Sequence, residues 1–344
     1  MSAALKVLTP GLHTTVQDLG RIGYQALGVP VSGALDGFAL RLGNALVGNP
    51  PQMAALEILY SGPTLEVAAD TVRVAVAGVG AALTIEGERG RRVDAWQSAS
   101  LVRGDILQIV LGAGSVCAYL AVEGGIAVPA VLGSASTYMR GGLGGFEGRS
   151  LRQGDLVPLA IERAPERPEQ RLPTPPPATG DQPIRVILGP QQEYFTEEAM
   201  ATLLDAKFRI SMSADRMGMR LDGPNLCHRR GWDIVSDAIA TGAIQVPGSG
   251  QPILLLADHQ TTGGYPKIAT VISADLPAVG RRRPGDAIRF AAVTIDEAEQ
   301  LARAEEQQLA GLMASFEPVT DGGNINLASL YTGNLISGVV TATE

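Results

Sequence analysis

Short apolar runs, broken every few residues by Gly, Pro or Asp, recur along most of this chain and restrict it to folds built from many short strands. Val72-Arg-Val-Ala-Val-Ala77, Ala82-Leu-Thr-Ile-Glu86, Ile106-Leu-Gln-Ile-Val-Leu111, Ile184-Arg-Val-Ile-Leu188 and Ala287-Ile-Arg-Phe290 are examples. Such runs read as strands buried in a sheet or barrel core. The 42 glycines suit the tight turns that must join them. Strands so spaced predict sandwiches or barrels.

At 344 residues the chain exceeds the usual size of one core, so two domains are expected. Residues 163–182 supply the boundary. Six prolines fall between Pro165 and Pro177, a density that predicts a semi-extended linker rather than packed structure. The expected organisation is a domain over residues 1–162, the linker, a second domain over 183–293, and a helix with a tail over 294–344. A weak internal repeat supports duplication. Gly148-Arg-Ser-Leu-Arg-Gln-Gly-Asp-Leu-Val-Pro-Leu159 resembles Gly280-Arg-Arg-Arg-Pro-Gly-Asp-Ala-Ile-Arg-Phe290, and Gly104-Asp105 precedes a further apolar strand.

Three helices are expected. One follows Asp36, which can cap it, with Phe38, Leu42 and Leu46 on one side and Gly48 past its end. Another starts at Thr196, with Glu197 and Glu198 in its first turn. A longer one starts at the capping box Thr294-Ile-Asp-Glu297. Its apolar residues Leu301, Leu309, Leu312 and Phe316 are expected on the second barrel or on a partner. In the tail, Ile336, Val339 and Val340 are available for docking.

A net charge of −8 and a pI near 5.1 argue against a nucleic-acid partner and give no polybasic membrane signal. No apolar run approaches the roughly 18 residues of a spanning helix, and the first residues lack signal-peptide character. A cytoplasmic location is expected. Cys117 lies in a strand-like segment and reads as a small core residue, while Cys227 beside His228 is an unsupported candidate thiol. His13, His228 and His259 are not at ligand spacing with either cysteine, so no metal site is expected.

The stretch 260–267 (Gln-Thr-Thr-Gly-Gly-Tyr-Pro-Lys) carries the densest polar chemistry between apolar flanks, with Asp258 and His259 just before it. Loops held by rigid strands are favoured places for chemistry, yet Gly-Gly and Pro also punctuate plain turns, and both readings stand. Lys267 is the best single proton-handling or electrophilic candidate, because lysine shifts its pKa readily when desolvated. Gln17, Asp18 and Arg21 concentrate polar groups near the N-terminus, either as a local ion pair or as an anion grip. The glycine-rich stretch 138–149 has an arginine towards each end and is either a lid or a hairpin loop. Asp215, Arg216 and Gln245 belong to polar turns of the second half. There is no nucleophile elbow, no Walker phosphate loop and no biotin-attachment sequence.

Taken together, several of these motifs resemble the biotin-dependent carboxyltransferase family, also called the allophanate hydrolase subunit 2 or kinase-inhibitor-antagonist family. They are Thr14-Thr-Val-Gln-Asp-Leu-Gly-Arg-Ile-Gly-Tyr24, Gly28-Val-Pro-Val-Ser-Gly-Ala-Leu-Asp36, Asn44-Ala-Leu-Val-Gly-Asn49, Ser134-Ala-Ser-Thr-Tyr138, Gly144-Gly-Phe-Glu-Gly-Arg149, Asp215-Arg-Met-Gly218 and Gly242-Ala-Ile-Gln-Val-Pro247. The strongest is the string from Asp258 to Ser273. The resemblance implies a mainly β fold of two cyclophilin-like β-barrels with a few short helices and one longer C-terminal helix. Members of this size resemble the C subunit of the ATP-dependent 5-oxoprolinase, which opens the lactam of 5-oxo-L-proline to L-glutamate. The resemblance implies an A-type and a B-type partner chain (the latter kinase-inhibitor-like), ATP acting through the complex, and a small amide substrate. Two alternatives accompany it. One is a carboxyltransferase component of a urea carboxylase or allophanate system, for which biotin would be needed. The other is a non-catalytic protein that antagonises a kinase-inhibitor-like partner.

Under this resemblance Lys267, Gln260, Thr261, Thr262 and Asp258 are expected to carry catalysis. Gln17, Asp18, Arg21, Asp215, Arg216, Gln245, Gly263, Gly264 and Tyr265 are expected to bind substrate or anion. The chain departs from the pattern at Ser236-Asp237-Ala238, where members often read Ser-Glu-Gly, and at Met219, where an aromatic is frequent.

Overall fold

The computed structural model describes residues 3–87, 90–177 and 180–320. The fold is mainly β, as expected. In the first half one sheet runs in the order Leu156–Pro158, Ala4–Thr9, Thr64–Val67, Ile106–Val110, Ala82–Glu86, Arg91–Asp94. A second runs His13–Gln17, Ala55–Leu59, Cys117–Val122, Thr71–Ala77, Gln97–Val102, then the short pieces Gln170–Arg171 and Glu317–Pro318.

Strand parity explains why this second sheet is buried on both faces. Val72, Val74 and Val76 join Leu56, Ile58, Ala118, Leu120 and Val122 in the core shared with the first sheet. The intervening Ala75, Ala77, Ala55, Leu59, Cys117, Tyr119 and Ala121 face the other way, into a second apolar layer. That layer is closed by α1 (Gly37–Leu46), whose Phe38, Leu42 and Leu46 are buried in it. Asp36 caps α1, accepting from the Ala39 amide at 2.9 Å.

In the second half eight strands run Ala287–Ile288, Phe208–Asp215, Gly218–Asp222, Ile253–Leu255, Ala243–Gln245, Lys267–Val271, Ile184–Leu188, Phe290–Ala292. The first and last of these are adjacent in the chain, so the sheet curls nearly shut around Val186, Phe208, Ile244, Leu254, Ile268 and Phe290. Alongside it lie α2 (Glu197–Asp205), capped by Thr196, and the short α3 (Leu276–Gly280).

The Gly-Asp repeat is a real structural unit. Gly104, Gly154 and Gly285 take φ of 89°, 91° and 90°, a region that favours glycine. The following Asp105, Asp155 and Asp286 each accept from the amide three residues upstream, at 2.9, 2.7 and 2.8 Å. Each turn leads directly into a strand.

Two expectations change. The helix α4 (Ile295–Ala314) has its capping box, with Thr294 and Glu297 bonded reciprocally. Its Leu309, Leu312 and Met313, with Phe316 just beyond its end, nevertheless cover the apolar layer of the first half beside α1, not the second barrel alone. Residues 163–177 are also more than a linker. Arg73 donates to the Pro165 and Arg167 carbonyls, Arg167 donates to Glu123 at 2.7 Å, and Leu172 is buried. Prolines keep that segment extended, and its arginine and leucine anchor it to the first half. Ile336, Val339 and Val340 lie outside the described residues.

Candidate functional site

The stretch 258–267 crosses the end of the second-half sheet, and its members divide at once by burial. Asp258 and His259 are buried. His259 donates from Nδ1 to the Gln260 carbonyl at 2.6 Å, which leaves Nε2 to accept from the Thr241 hydroxyl at 3.2 Å. Burial lowers its pKa and keeps the ring neutral in this role. Thr262–Gly263 pairs with Asp237–Ala238, and the Thr261 carbonyl accepts from Ile239. A side chain at Gly263 would meet Gln245 Nε2 and Ile239 Cδ1, both 2.8 Å from an ideal Cβ, so a larger residue here would displace the Gln245 carboxamide.

Gln245 and Gln260 form a chain of carboxamides. Gln260 Nε2 donates to Gln245 Oε1 at 3.4 Å, and Gln245 Nε2 donates to the Tyr265 carbonyl at 3.3 Å. One strand further from the cleft described below, Lys267 is buried and donates from Nζ to Asp237 at 2.7 Å and to the Ala238 carbonyl at 3.2 Å. That bond to the carboxylate, first among the causes, holds the Asp237 carboxyl below the usual carboxylate range.

A cleft of about 420 Å³ opens beside this chain of carboxamides. Gln245, Gln260, Tyr265 and Asp215 line it, together with Arg220 and, from the first half, Arg140. Gly218 opposes Leu255 and Arg220 opposes Ile253 in register, and all four contribute to the wall. Asp215 accepts from the Met217 and Gly218 amides and so pins the hairpin at the cleft's edge. A larger cavity of about 930 Å³ lies on the first half, where Arg91 is paired with Glu169 and Arg103 with Asp70 and Glu162. It contains none of the candidate catalytic or binding residues, and its arginines already have carboxylate partners.

The other expected site residues are elsewhere. Arg216 was expected to bind an anion, but its guanidinium is buried and bonded to Glu57 of the first half, to Asp258 at 2.9 Å and to the Gly33 carbonyl. Asp258 is the other end of that pair and not an open catalytic group. Arg21 forms neither the ion pair with Asp18 nor an open anion grip. It is 1% exposed and donates to the Ser136 carbonyl. The Asp18 carboxylate instead accepts from Gly20, Ser134, Ala135 and Ser136. Gln17 donates to the Thr137 carbonyl at 3.1 Å. These three residues therefore tie down the segment that leads to Arg140. Thr261 and Thr262 shape the loop without lining the cleft, and Gly264 packs near the Ile234 carbonyl.

Arg140, Arg220 and Asp237 were not chosen from the sequence. Arg220 was signalled by parity, two residues past Gly218 on one strand face. Arg140 carried only the weak signal of a charge in a glycine-rich loop. Chemically, two guanidinium groups suit a carboxylate and the paired carboxamides suit an amide, since each carboxamide offers both a donor and an acceptor. Among the described residues no group of three or more His, Cys, Asp or Glu is placed to hold a metal ion, and no helix is long and apolar enough to cross a membrane.

The pattern of the carboxyltransferase domain, subdomain A and B, matches residues 27–292. This chain belongs to the carboxyltransferase-domain family. The carboxyltransferase domain so defined contains the whole cleft, while Gln17, Asp18 and Arg21 precede the matched region and α4 follows it. The chain is similar to the 5-oxoprolinase C subunit of Haemophilus influenzae, at 35% identity over 88% of this chain and 95% of that one. The Escherichia coli protein of the same name is 35% identical over 88% of this chain and 96% of that one. The solved urea amidolyase of K. lactis superposes with a TM-score of 0.83 at 31% identity, over 90% of this chain but 20% of that larger one.

Proposed function

We propose that this chain is the C subunit of an ATP-dependent 5-oxoprolinase, a cytoplasmic complex completed by A-like and B-like chains. The cleft carries the reading. 5-Oxo-L-proline is a lactam bearing a carboxylate, and the cleft sets carboxamides from Gln245 and Gln260 beside guanidinium groups from Arg140 and Arg220. In the overall reaction two waters are consumed. One adds to the lactam carbonyl as the C–N bond breaks and the nitrogen takes a proton, and the other supplies the oxygen and protons needed to convert ATP to ADP and phosphate. Gln260 contacts the lactam. Lys267, held by Asp237 behind it, adds positive potential where the carbonyl oxygen gains charge. ATP acts through the assembled complex, as this chain has no phosphate-cradling loop in its sequence.

A second reading, transfer of a carboxyl group from biotin to urea, is favoured by the likeness to urea amidolyase. The cleft's amide donors and guanidinium groups suit a carboxylated ureido ring, with Gln245, Gln260, Arg140 and Arg220 as its holders. Co-expression with A-like and B-like chains separates the readings. ATP-dependent glutamate formation only when all three chains are present supports the first. Dependence on a biotinylated protein supports the second. Binding of the B-like chain with no turnover of either kind would leave the antagonist role.

A further inference from the structure

Three arginines in a row, Arg281, Arg282 and Arg283, behave differently from one another. Arg281 donates to Asp36 at 2.6 Å, and Arg283 lies 3.8 Å from Asp286. Arg282 has no carboxylate partner among the described residues, although it is 9% exposed. Its Nη1 and Nη2 reach only the Ala287 and Gly180 carbonyls, at 3.3 and 3.0 Å, and its buried Nε has no partner. Of the other buried arginines, Arg73 and Arg216 have carboxylates against them, as burying an uncompensated charge is costly. Arg21, by contrast, has only the Ser136 carbonyl among the described residues and lines no pocket with other cations.

Arg282 lines a pocket of about 220 Å³ with Lys207 and Arg289. Neither of those forms an ion pair among the described residues, and Arg289 donates only to the Asp181 backbone carbonyl, at 2.8 Å. Among the described residues Asp181 is the one acidic residue in the lining, and its carboxylate forms no ion pair. Three cations against one carboxylate leave about two positive charges in a chain whose net charge is −8. Carbonyl dipoles orient a guanidinium without neutralising it. The adjoining larger cavity differs, because its Arg185 and Arg281 already face Asp275 and Asp36.

We propose that the Lys207–Arg282–Arg289 pocket binds a phosphate group. A dianion with tetrahedral oxygens matches the excess charge and offers acceptors to several donors at once. The volume holds a phosphate with a few waters but not a whole nucleotide, so a nucleotide could insert only its terminal phosphate. The bound group would tie residues 181–182 to Lys207, just before the strand Phe208–Asp215, and to Arg289, between the strands Ala287–Ile288 and Phe290–Ala292. This site is separate from the cleft and does not rest on the function proposed above.

The test is calorimetric titration of the intact chain with inorganic phosphate, sodium chloride being adjusted to hold ionic strength constant. One site per chain is expected, with affinity falling about tenfold in Lys207→Gln or Arg289→Gln and lost in the double variant. Both residues are exposed, so these variants keep the fold, which circular dichroism checks. Arg282→Gln, if folded, should abolish binding alone. ADP and pyrophosphate are titrated in parallel. Tighter binding of ADP that is lost in the double variant identifies a nucleotide as the source, and tighter binding of phosphate identifies the free anion. No heat beyond that of chloride, or binding unchanged in the double variant, overturns the proposal.

Discussion

The ammonium of Lys267 lies 2.7 Å from a carboxylate oxygen of Asp237, although the lysine is buried and the aspartate side chain is half exposed. The same carboxylate accepts from Gln191 at 3.3 Å, and Gln191 in turn accepts from the Lys267 backbone amide at 3.1 Å. The loop that carries Gln260 is thus anchored at its far end by a closed ring of polar contacts. Lys267→Ala is expected to lower turnover of the assembled complex by about tenfold, less than the loss of a direct oxyanion contact, because Lys267 lies behind the cleft lining and its charge is shared with Asp237. Assembly, followed by size-exclusion chromatography, should be unchanged. Turnover equal to wild type would remove Lys267 from the mechanism.

Arg216 joins the two halves through Glu57 and Asp258, all three being buried. Glu57 also accepts from the Tyr119 hydroxyl at 2.6 Å and the Leu35 amide at 2.8 Å. Arg216→Met leaves two buried carboxylates unpaired and is expected to cost about 3–5 kcal/mol in chemical denaturation. Adding Glu57→Gln to that variant should restore part of the loss, because one orphaned charge is then removed. A double variant no more stable than the single would show that the pair is not coupled.

Glu305 on α4 has its pKa pushed up to about 7, first by burial and then by Glu306 and Asp36, with Arg41 opposing. The native state therefore holds a proton that the unfolded chain, titrating near 4.5, has already released. Stability from this group is full below pH 4.5 and declines as pH rises through 7. Glu305→Gln is expected to be the more stable protein at pH 8 by on the order of 1 kcal/mol, with the difference vanishing near pH 4.5. Thermal melts across that range check it, and a parallel pH profile for both proteins would contradict it.

Arg140 and Arg220 are the guanidinium groups that line the cleft. On the proposed function, Arg140→Ala and Arg220→Ala should each raise KM for 5-oxo-L-proline by about 10- to 100-fold, the range for one charge-assisted contact. Their effect on kcat should be smaller. Steady-state kinetics of the three-chain complex would show whether KM moves first.

Local features were legible in the residues that make them. Asp36 and Thr294 cap their helices because a cap needs only a side-chain oxygen and an amide three residues on. The Gly-Asp turns are equally local. The loop from Gln260 to Lys267 was legible as polar chemistry between buried strands, and Asp215, Gln245 and Tyr265 do share one cleft with Gln260. Arg21, Arg216 and Asp258 looked as available for ligand binding as Arg140 and Arg220, since each is a charged residue in a polar, glycine-containing stretch.

By itself the sequence determined the short strands, the helix starts, the duplicated turn and the family, all of which rest on spacing and residue type. Only the tertiary structure decided which charges are satisfied within the protein and which face open space. Glu57 and Arg216 are separated by 159 positions. Their meeting depends on strand parity, which turns Glu57 and its cross-strand partner Tyr119 to one face, and on the hairpin that brings Arg216 to that face. The cost of burying a charge is set by what packs against it, and that is a property of the assembled fold.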